Sequence, residues 1–307
     1  MSDLNIKGHL SMASANIMWG LMSPAAKIAM SSTTIAPLIM VDMRVAGAAI
    51  LFWISSLFFK HEHVPPKDLL LLAGAAMIGI VLNQGCFIVG ISYTSPGEGS
   101  LITTTMPMWV MILAWIILHE PITAKKAGGI ALGAIGAIIL VVGSTSANAT
   151  AKNPALGDLI VLAAQLSYAL YLTLYRNFIK RYSLITLMKW MFLFATMAMV
   201  GITLPSLLDT QWGNISQTEW AAAGYVVIFG TYFAYICVMT GQKILRPTIV
   251  GMYNYVQPVT AACMGIYLGM EQITISKCIA IMLIFSGVYM VTTSKSAQTT
   301  KNGMADK

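Results

Sequence analysis

The sequence predicts an all-α polytopic membrane protein: ten transmembrane helices arranged as two inverted five-helix repeats. Three observations predict it. First, 57% of the 307 residues are hydrophobic and only 9% charged, against about 25% charged in a soluble domain, so too few charges remain to cover a water-facing surface. Second, the apolar runs are continuous and reach the roughly 20 residues that a membrane-crossing helix needs; they do not alternate as barrel strands do. Third, the chain repeats itself. At a constant shift of 151 (258 − 107), Gly79/Gly230, Cys86/Cys237, Gly90/Gly241, Pro96/Pro247, Pro107/Pro258, Glu120/Glu271, Lys126/Lys277 and Gly136/Gly287 are identical with no gap. Apolar composition aligns Leu and Ile by chance, but not prolines, a glutamate, a lysine and glycines together.

Spans are expected at 9–30, 35–59, 68–91, 96–118, 125–144, 156–178, 184–204, 218–241, 246–269 and 276–293. The first run lacks a small-residue cleavage site and reads as a retained span. The longest connections are Ser144–Gly157 and Pro205–Glu219, so no soluble domain is expected between spans. The first spans of each half match at a shift of 149 (157 − 8): Gly8/Gly157, Asn16/Gln165, Trp19/Tyr168 and Lys27/Arg176. Each repeat therefore holds five spans, 8–144 and 156–293, with 294–307 expected as a disordered cytoplasmic tail. An odd number of spans turns the second repeat over, which is the plan of secondary transporters.

The net charge of +7 does not call for nucleic acid. Lys60, Lys67, Lys125, Lys126, Arg176, Lys180, Arg181, Lys243 and Arg246 fall in loops on one side, while the other side has Lys152 and Lys277. Positive charge collects inside, so both termini are expected in the cytoplasm. The sequons at Asn148 and Asn214 fall in outer loops and carry no meaning in a bacterial chain.

Polar side chains within spans cost free energy unless they face protein or a watery cavity. Asn16 and Trp19 share one helix face, as do Gln165 and Tyr168, three residues apart in each case. They either line a common central cavity or bond helix to helix. Asn83 and Gln84 sit near mid-depth of the third span, with Tyr235 in the matching eighth. Thr103 precedes Pro107, and Asn254 and Gln257 precede Pro258. Proline frees an upstream carbonyl that a cavity can solvate, which makes these three candidate lining residues. Thr103 has the competing option of bonding its own helix.

The charges inside or at the ends of spans are Lys27, Asp42, Arg44, Glu98 and Lys189. Lys27 either pairs with Asp42 or snorkels. Arg44 lies deeper and should face the interior. Lys189 is expected to reach the inner headgroups. Glu98 suits the positive end of its helix, with proton coupling as the other reading. Glu120 and Glu271 should cap or tether the helix that follows each. The small-residue face of Gly129, Gly133 and Gly136 reads as a packing surface.

No Walker loop, HExxH, GxSxG or paired loop carboxylates occur. Cys86, Cys237, Cys263 and Cys278 lie in apolar runs without CxxC spacing and read as small packing residues. No enzyme activity, cofactor or metal is therefore expected. The expected partners are a small-molecule substrate and the lipid bilayer, for a monomer or homodimer driven by a gradient and not by ATP.

Trp19-Gly20, Lys27, Arg44, and Pro107 followed by the hinge His119-Glu120-Pro121-Ile122-Thr123 with Lys125-Lys126 resemble the EamA-type branch of the drug/metabolite transporter superfamily. The resemblance covers about 8–293. It implies a carrier of the bacterial inner membrane, with a substrate cavity between the halves and alternating access. It further implies small organic substrates, commonly amino acids and related metabolites, often exported. An uptake carrier or a transporter of sugars or nucleotide-linked sugars is the alternative; a phosphate-bearing substrate would want several cavity cations. The second half departs from the pattern at Met270-Glu271-Gln272 and at Leu193, which stands where Arg44 would be repeated.

Overall fold

The computed structural model describes residues 3–31, 34–93, 102–144, 153–267 and 274–294. Among them every regular element is helical and none is a strand. Six stretches are long and apolar enough to cross a membrane: Pro37–Ser56, Pro66–Gly90, Ala155–Leu174, Leu184–Asp209, Gln217–Ile244 and Ile275–Thr292. The chain is a multi-pass helical membrane protein.

Helix α1 spans Asp3–Ala29 and α2 spans Pro37–Ser56. Pro37 opens α2, where a missing N–H leaves no bond unmade. Helices α3 (Pro66–Ala76) and α4 (Asn83–Tyr93) are joined into one rod by a π-helical stretch, Met77–Leu82. Then come α5 (Met106–Leu118), α6 (Ala124–Ser144), α7 (Pro154–Leu174) and α8 (Leu184–Asp209). Helices α9 (Gln217–Val227) and α10 (Ala234–Ile244) are again joined by a π stretch, Ile228–Phe233. Short α11 (Pro247–Met252) passes through a 3-10 turn at Tyr253–Tyr255 into α12 (Val256–Tyr267), and α13 (Ile275–Thr292) follows.

The two π stretches are equally long and lie 151 residues apart (228 − 77 and 233 − 82). Each buries the glycine of one identical pair. A Cβ on Gly79 would lie 2.8 Å from the Tyr171 ring, and one on Gly230 would lie 2.8 Å from Met22 Sδ. Met22 and Tyr171 are themselves 149 apart (171 − 22). Each π turn is thus seated on a side chain from the other half of the sequence.

Packing follows the same pairing. Helix α6 lies on α13, α2 on α8, and α5 on α11. Helix α1 lies on α10 and α12, while α7 lies on α4 and α5. Between α6 and α13 the backbones nearly touch. A Cβ on Gly129 would meet the Gly287 carbonyl oxygen at 2.7 Å, and one on Gly136 would meet the Ala280 oxygen at 2.6 Å. Lipid gives helices no hydrophobic reason to associate, so close backbone approach supplies the van der Waals contact.

Several elements differ from the sequence expectation. Helix α8 runs through Pro205 to Asp209, where a loop was expected from Pro205. The carbonyl that the proline ring crowds belongs to Gly201, and a membrane-spanning helix tolerates such a proline where neighbouring groups re-satisfy the freed carbonyl. The sixth span ends at Leu174, not at 178. Its next residues turn Arg176 toward Glu120, and Phe178 stacks edge-on between Tyr175 and Tyr182. Pro107 is the second residue of α5 and starts it, after a turn at 104–105. Cys86 and Cys237 are half-buried, whereas Cys263 and Cys278, expected as packing residues, are exposed. The hinge residues Glu271 to Ile273 and the tail beyond Ser294 lie outside the described residues.

Candidate functional site

Four helices converge on the π stretch Ile228–Phe233 and the turn after it. From α1, Trp19 Nε1 donates to the Gly230 carbonyl at 3.0 Å, and its ring meets Tyr235 edge-on, 5.8 Å between centroids. From α2, Arg44 Nε donates to Thr231 Oγ1 at 3.1 Å. Thr231 in turn donates to the Val226 carbonyl, five residues back, at 2.9 Å. From α4, Gln84 Nε2 donates to Tyr235 Oη at 3.1 Å, a bond between residues 151 apart (235 − 84). From α8, Phe192 packs edge-on against the Tyr235 ring at 4.9 Å. A π turn opens the ladder of backbone bonds and is common at functional sites. Here it carries Gly230 and Thr231, each bonded to another helix.

Next to this group, Tyr168 and Tyr171 of α7 hold Gln242 of α10. Gln242 Nε2 donates to Tyr168 Oη at 3.3 Å, and Tyr171 Oη donates to Gln242 Oε1 at 3.2 Å. Asn83 donates to the Ala164 carbonyl at 2.9 Å. Gln165 is 6% exposed and makes no hydrogen bond among the described residues. A third group joins α1 to α12. Asn16, fully buried, donates to the Met12 carbonyl at 2.8 Å and accepts from Gln257 Nε2 at 2.9 Å; Gln257 also reaches Asn254 Oδ1 at 3.3 Å. Pro258 follows Gln257 within α12. Thr103 is half-buried, four residues before Pro107.

Of the intramembrane charges, Glu98 and the side chain of Lys27 lie outside the described residues. Asp42 is 3% exposed and accepts from Thr203 through Oδ2, while its buried Oδ1 has no partner among the described residues. Lys189 does not reach outward as expected. It is 5% exposed, with Nζ 5.0 Å from the Trp53 ring centroid and 6.0 Å from that of Trp190. Two indole faces attract a cation strongly enough to hold it inside.

At the end where most of the basic residues gather, a carboxylate takes the central place. His119 adopts the left-handed region at φ 53° and ends α5, with the Glu120 N–H bonded back to the Ala114 carbonyl at 3.0 Å. Glu120 is 3% exposed. Its Oε2 accepts from Lys126 Nζ and from Thr248 Oγ1, both at 3.1 Å, and its Oε1 accepts from Arg176 Nη1 at 3.3 Å. Nearby, Glu62 accepts from the Ser183 N–H at the start of α8 at 2.9 Å. Burial draws the Glu62 carboxyl up, but hydrogen bonds from Thr186 and Ser183 and the charge of Lys243 outweigh it, so its pKa is lowered. A cavity of about 180 Å³ opens beside Asn5, His9, Leu245, Arg246, Ile249 and Thr292.

Sequence reasoning overlooked Thr231, Tyr171, Gln242, Arg176 and Thr248. Thr231 was detectable, because it follows the repeated Gly230 in an otherwise apolar run. Gln242 was placed one residue past the end of its span. Arg176 and Thr248 gain their meaning only from Glu120, which is 56 and 128 residues away.

The profile of the EamA-like transporter family matches this chain twice, over residues 6–142 and 155–293. The "Uncharacterized inner membrane transporter YedA" of Escherichia coli (strain K12) is 28% identical over 290 residues, covering 91% of this chain and 88% of that protein. The "Uncharacterized transporter YyaM" of Bacillus subtilis (strain 168) is 26% identical over 212 residues, 69% of each chain. A solved structure titled "Crystal structure of protein" superposes with a TM-score of 0.78 at 16% identity, covering 95% of this chain and 97% of that one.

Proposed function

Because the chain belongs to the EamA-like transporter family, we propose that it is a secondary carrier exporting small organic metabolites, such as amino acids or related compounds, across the bacterial inner membrane by alternating access. That it is a membrane transporter rests on the family; the export direction, the substrate class and the mechanism are the proposed part. Ten spans in two inverted halves, 8–144 and 156–293, carry the transport. Support for the halves comes from the double match of the family profile, the two π stretches 151 residues apart, and the paired packing of α1 with α10 and of α7 with α4. The relative named as an inner membrane transporter supports the location. Cytoplasmic termini are supported by the gathering of Lys126, Arg176, Arg181, Lys243 and Arg246 at one end.

The observation that carries the reading is the convergence of polar side chains from both halves on one π turn inside an apolar bundle. Substrate would sit where Trp19, Gln84 and Tyr235 meet, beside Tyr168. These rings offer flat apolar surface with polar edges. Asn16, Asn254 and Gln257 would line the path toward it, with Thr103, Asn83 and Gln165 flanking. Glu120 of the first half holds Arg176 and Thr248 of the second, so the two halves are tied to one another at the basic end in this conformation. Export requires those bonds to exchange for others as the halves rock.

Counterflow tests the function. Purified protein in liposomes, loaded with unlabelled amino acids and related metabolites, should accumulate the matching labelled solute without ATP. Trp19→Ala should reduce uptake of that label while leaving the amount of inserted protein unchanged. Liposomes that move no solute of the panel faster than protein-free ones would reject the reading.

A further inference from the structure

We propose that Arg44 is the carboxylate anchor of the substrate site, so that the carrier takes small monocarboxylates, zwitterionic amino acids included, in preference to amines and neutral solutes. This rests on the transport reading above and narrows it.

Arg44 carries a charge that has no counter-ion among the described residues. Among the described residues the ion pairs are Lys126–Glu120, Arg176–Glu120 and Arg181–Asp68, and none involves Arg44. Arg44 sits within α2, in the run Met40-Val41-Asp42-Met43-Arg44-Val45-Ala46. Its one hydrogen bond runs from Nε to the neutral Thr231 hydroxyl. The two terminal nitrogens of the guanidinium, the prongs that grip a carboxylate as a fork, make no hydrogen bond among the described residues. A guanidinium held in a bundle in lipid is costly and persists where it pairs with something. Lys189 is a poorer candidate, since Trp53 and Trp190 already stabilise it.

The surroundings suit such a ligand. Arg44 Nε is bonded to Thr231, one helical turn before Tyr235. The Gln84 amide is bonded to the Tyr235 hydroxyl by Nε2, and its Oε1 is buried with no partner among the described residues. An orphaned buried acceptor costs free energy that a ligand donor would recover. A guanidinium fork bonded at Thr231 and an unpaired acceptor beside the Tyr235 hydroxyl match the carboxylate and ammonium of an α-amino acid. Trp19 and Phe192 border the same ring and would receive its apolar side chain.

The experiment compares acids with their amides. The common amino acids and the corresponding amino-acid amides, which keep the ammonium and lose the negative charge, are titrated against the purified full-length protein, reading the shift in thermal unfolding. At least one acid should stabilise the protein at a concentration about tenfold or more below its amide, the size of one charge-assisted hydrogen bond. Arg44→Gln should unfold no earlier than wild type without ligand and lose that preference; Arg44→Lys, which keeps charge but not the fork, should fall between. Amides binding as well as acids, no acid binding, or a preference surviving in Arg44→Gln would overturn the assignment. Counterflow in the same preparation separates the two levels. Movement of uncharged or cationic solutes without carboxylate preference sinks the anchor and leaves the carrier standing, whereas no movement of any solute sinks the carrier.

Discussion

Glu120 has three partners on one carboxylate, two of them from the other half of the sequence. Lys126, 1% exposed, depends on it. Removing one member of a buried pair leaves the other charge unpaired, at about 3–5 kcal/mol, while replacing both with apolar groups is far less harmful. Glu120→Gln should therefore lower the unfolding temperature in detergent sharply, and Glu120→Gln with Lys126→Met should recover most of the loss. Equal losses in the single and double variants would show that the pair is not the source. At this scale the sequence told much: the repeat singled out Glu120, and the tether to its following helix was anticipated. The span count also marked Arg44 and Asp42 as unusual. It did not reveal that Thr203 reaches Asp42 or that Lys189 lies over two indoles, because those partners come from distant helices whose rotation about their own axes is not encoded locally.

Helices meet through what they lack as much as through what they carry. Along α6, Gly129 and Gly136 face backbone oxygens of α13, and Gly133 faces the Tyr255 ring, 2.6 Å from where its Cβ would be. Backbone cannot move aside as a side-chain tip can. Gly129→Ala should destabilise the protein by about 1–3 kcal/mol through forced separation, seen as an earlier thermal transition and less folded protein, with substrate preference unchanged among the molecules that fold. Gly224, with no atom within reach of a Cβ, should accept alanine with little effect. Normal stability in Gly129→Ala would contradict the close approach. The small-residue face was legible from spacing alone, whereas the π stretches were not. Met77–Leu82 and Ile228–Phe233 look like ordinary apolar helix in sequence, and the side chains closest to their glycines, Tyr171 and Met22, come from distant helices. Pro205 misled as well, since the helix continues through it to Asp209 where proline ordinarily ends one.

At the scale of the whole molecule, the proposed organisation is two copies of one unit, each burying its polar face against the other. The sequence basis for it is Pro107/Pro258 and Glu120/Glu271, because prolines and charges in apolar runs are too rare to align by accident. The candidate site was visible only in part. Trp19, Gln84 and Tyr235 do come together, while Asn16 with Gln257 and Tyr168 with Gln242 form separate bonded groups. The identity of contacts across the halves depends on how the units face one another, and spacing within a single helix cannot specify that. Inversion of the halves is the claim on which the rest depends. Lys125 and Ser276 are equivalent under the repeat (276 − 125 = 151), and both are exposed at the start of their helices. Single cysteines at these two positions, in a cysteine-free background, can be labelled with a membrane-impermeant maleimide in intact cells and in inverted vesicles. The account predicts that Ser276→Cys reacts from outside alone and Lys125→Cys from the cytoplasmic side alone. Labelling of both from the same side would contradict it.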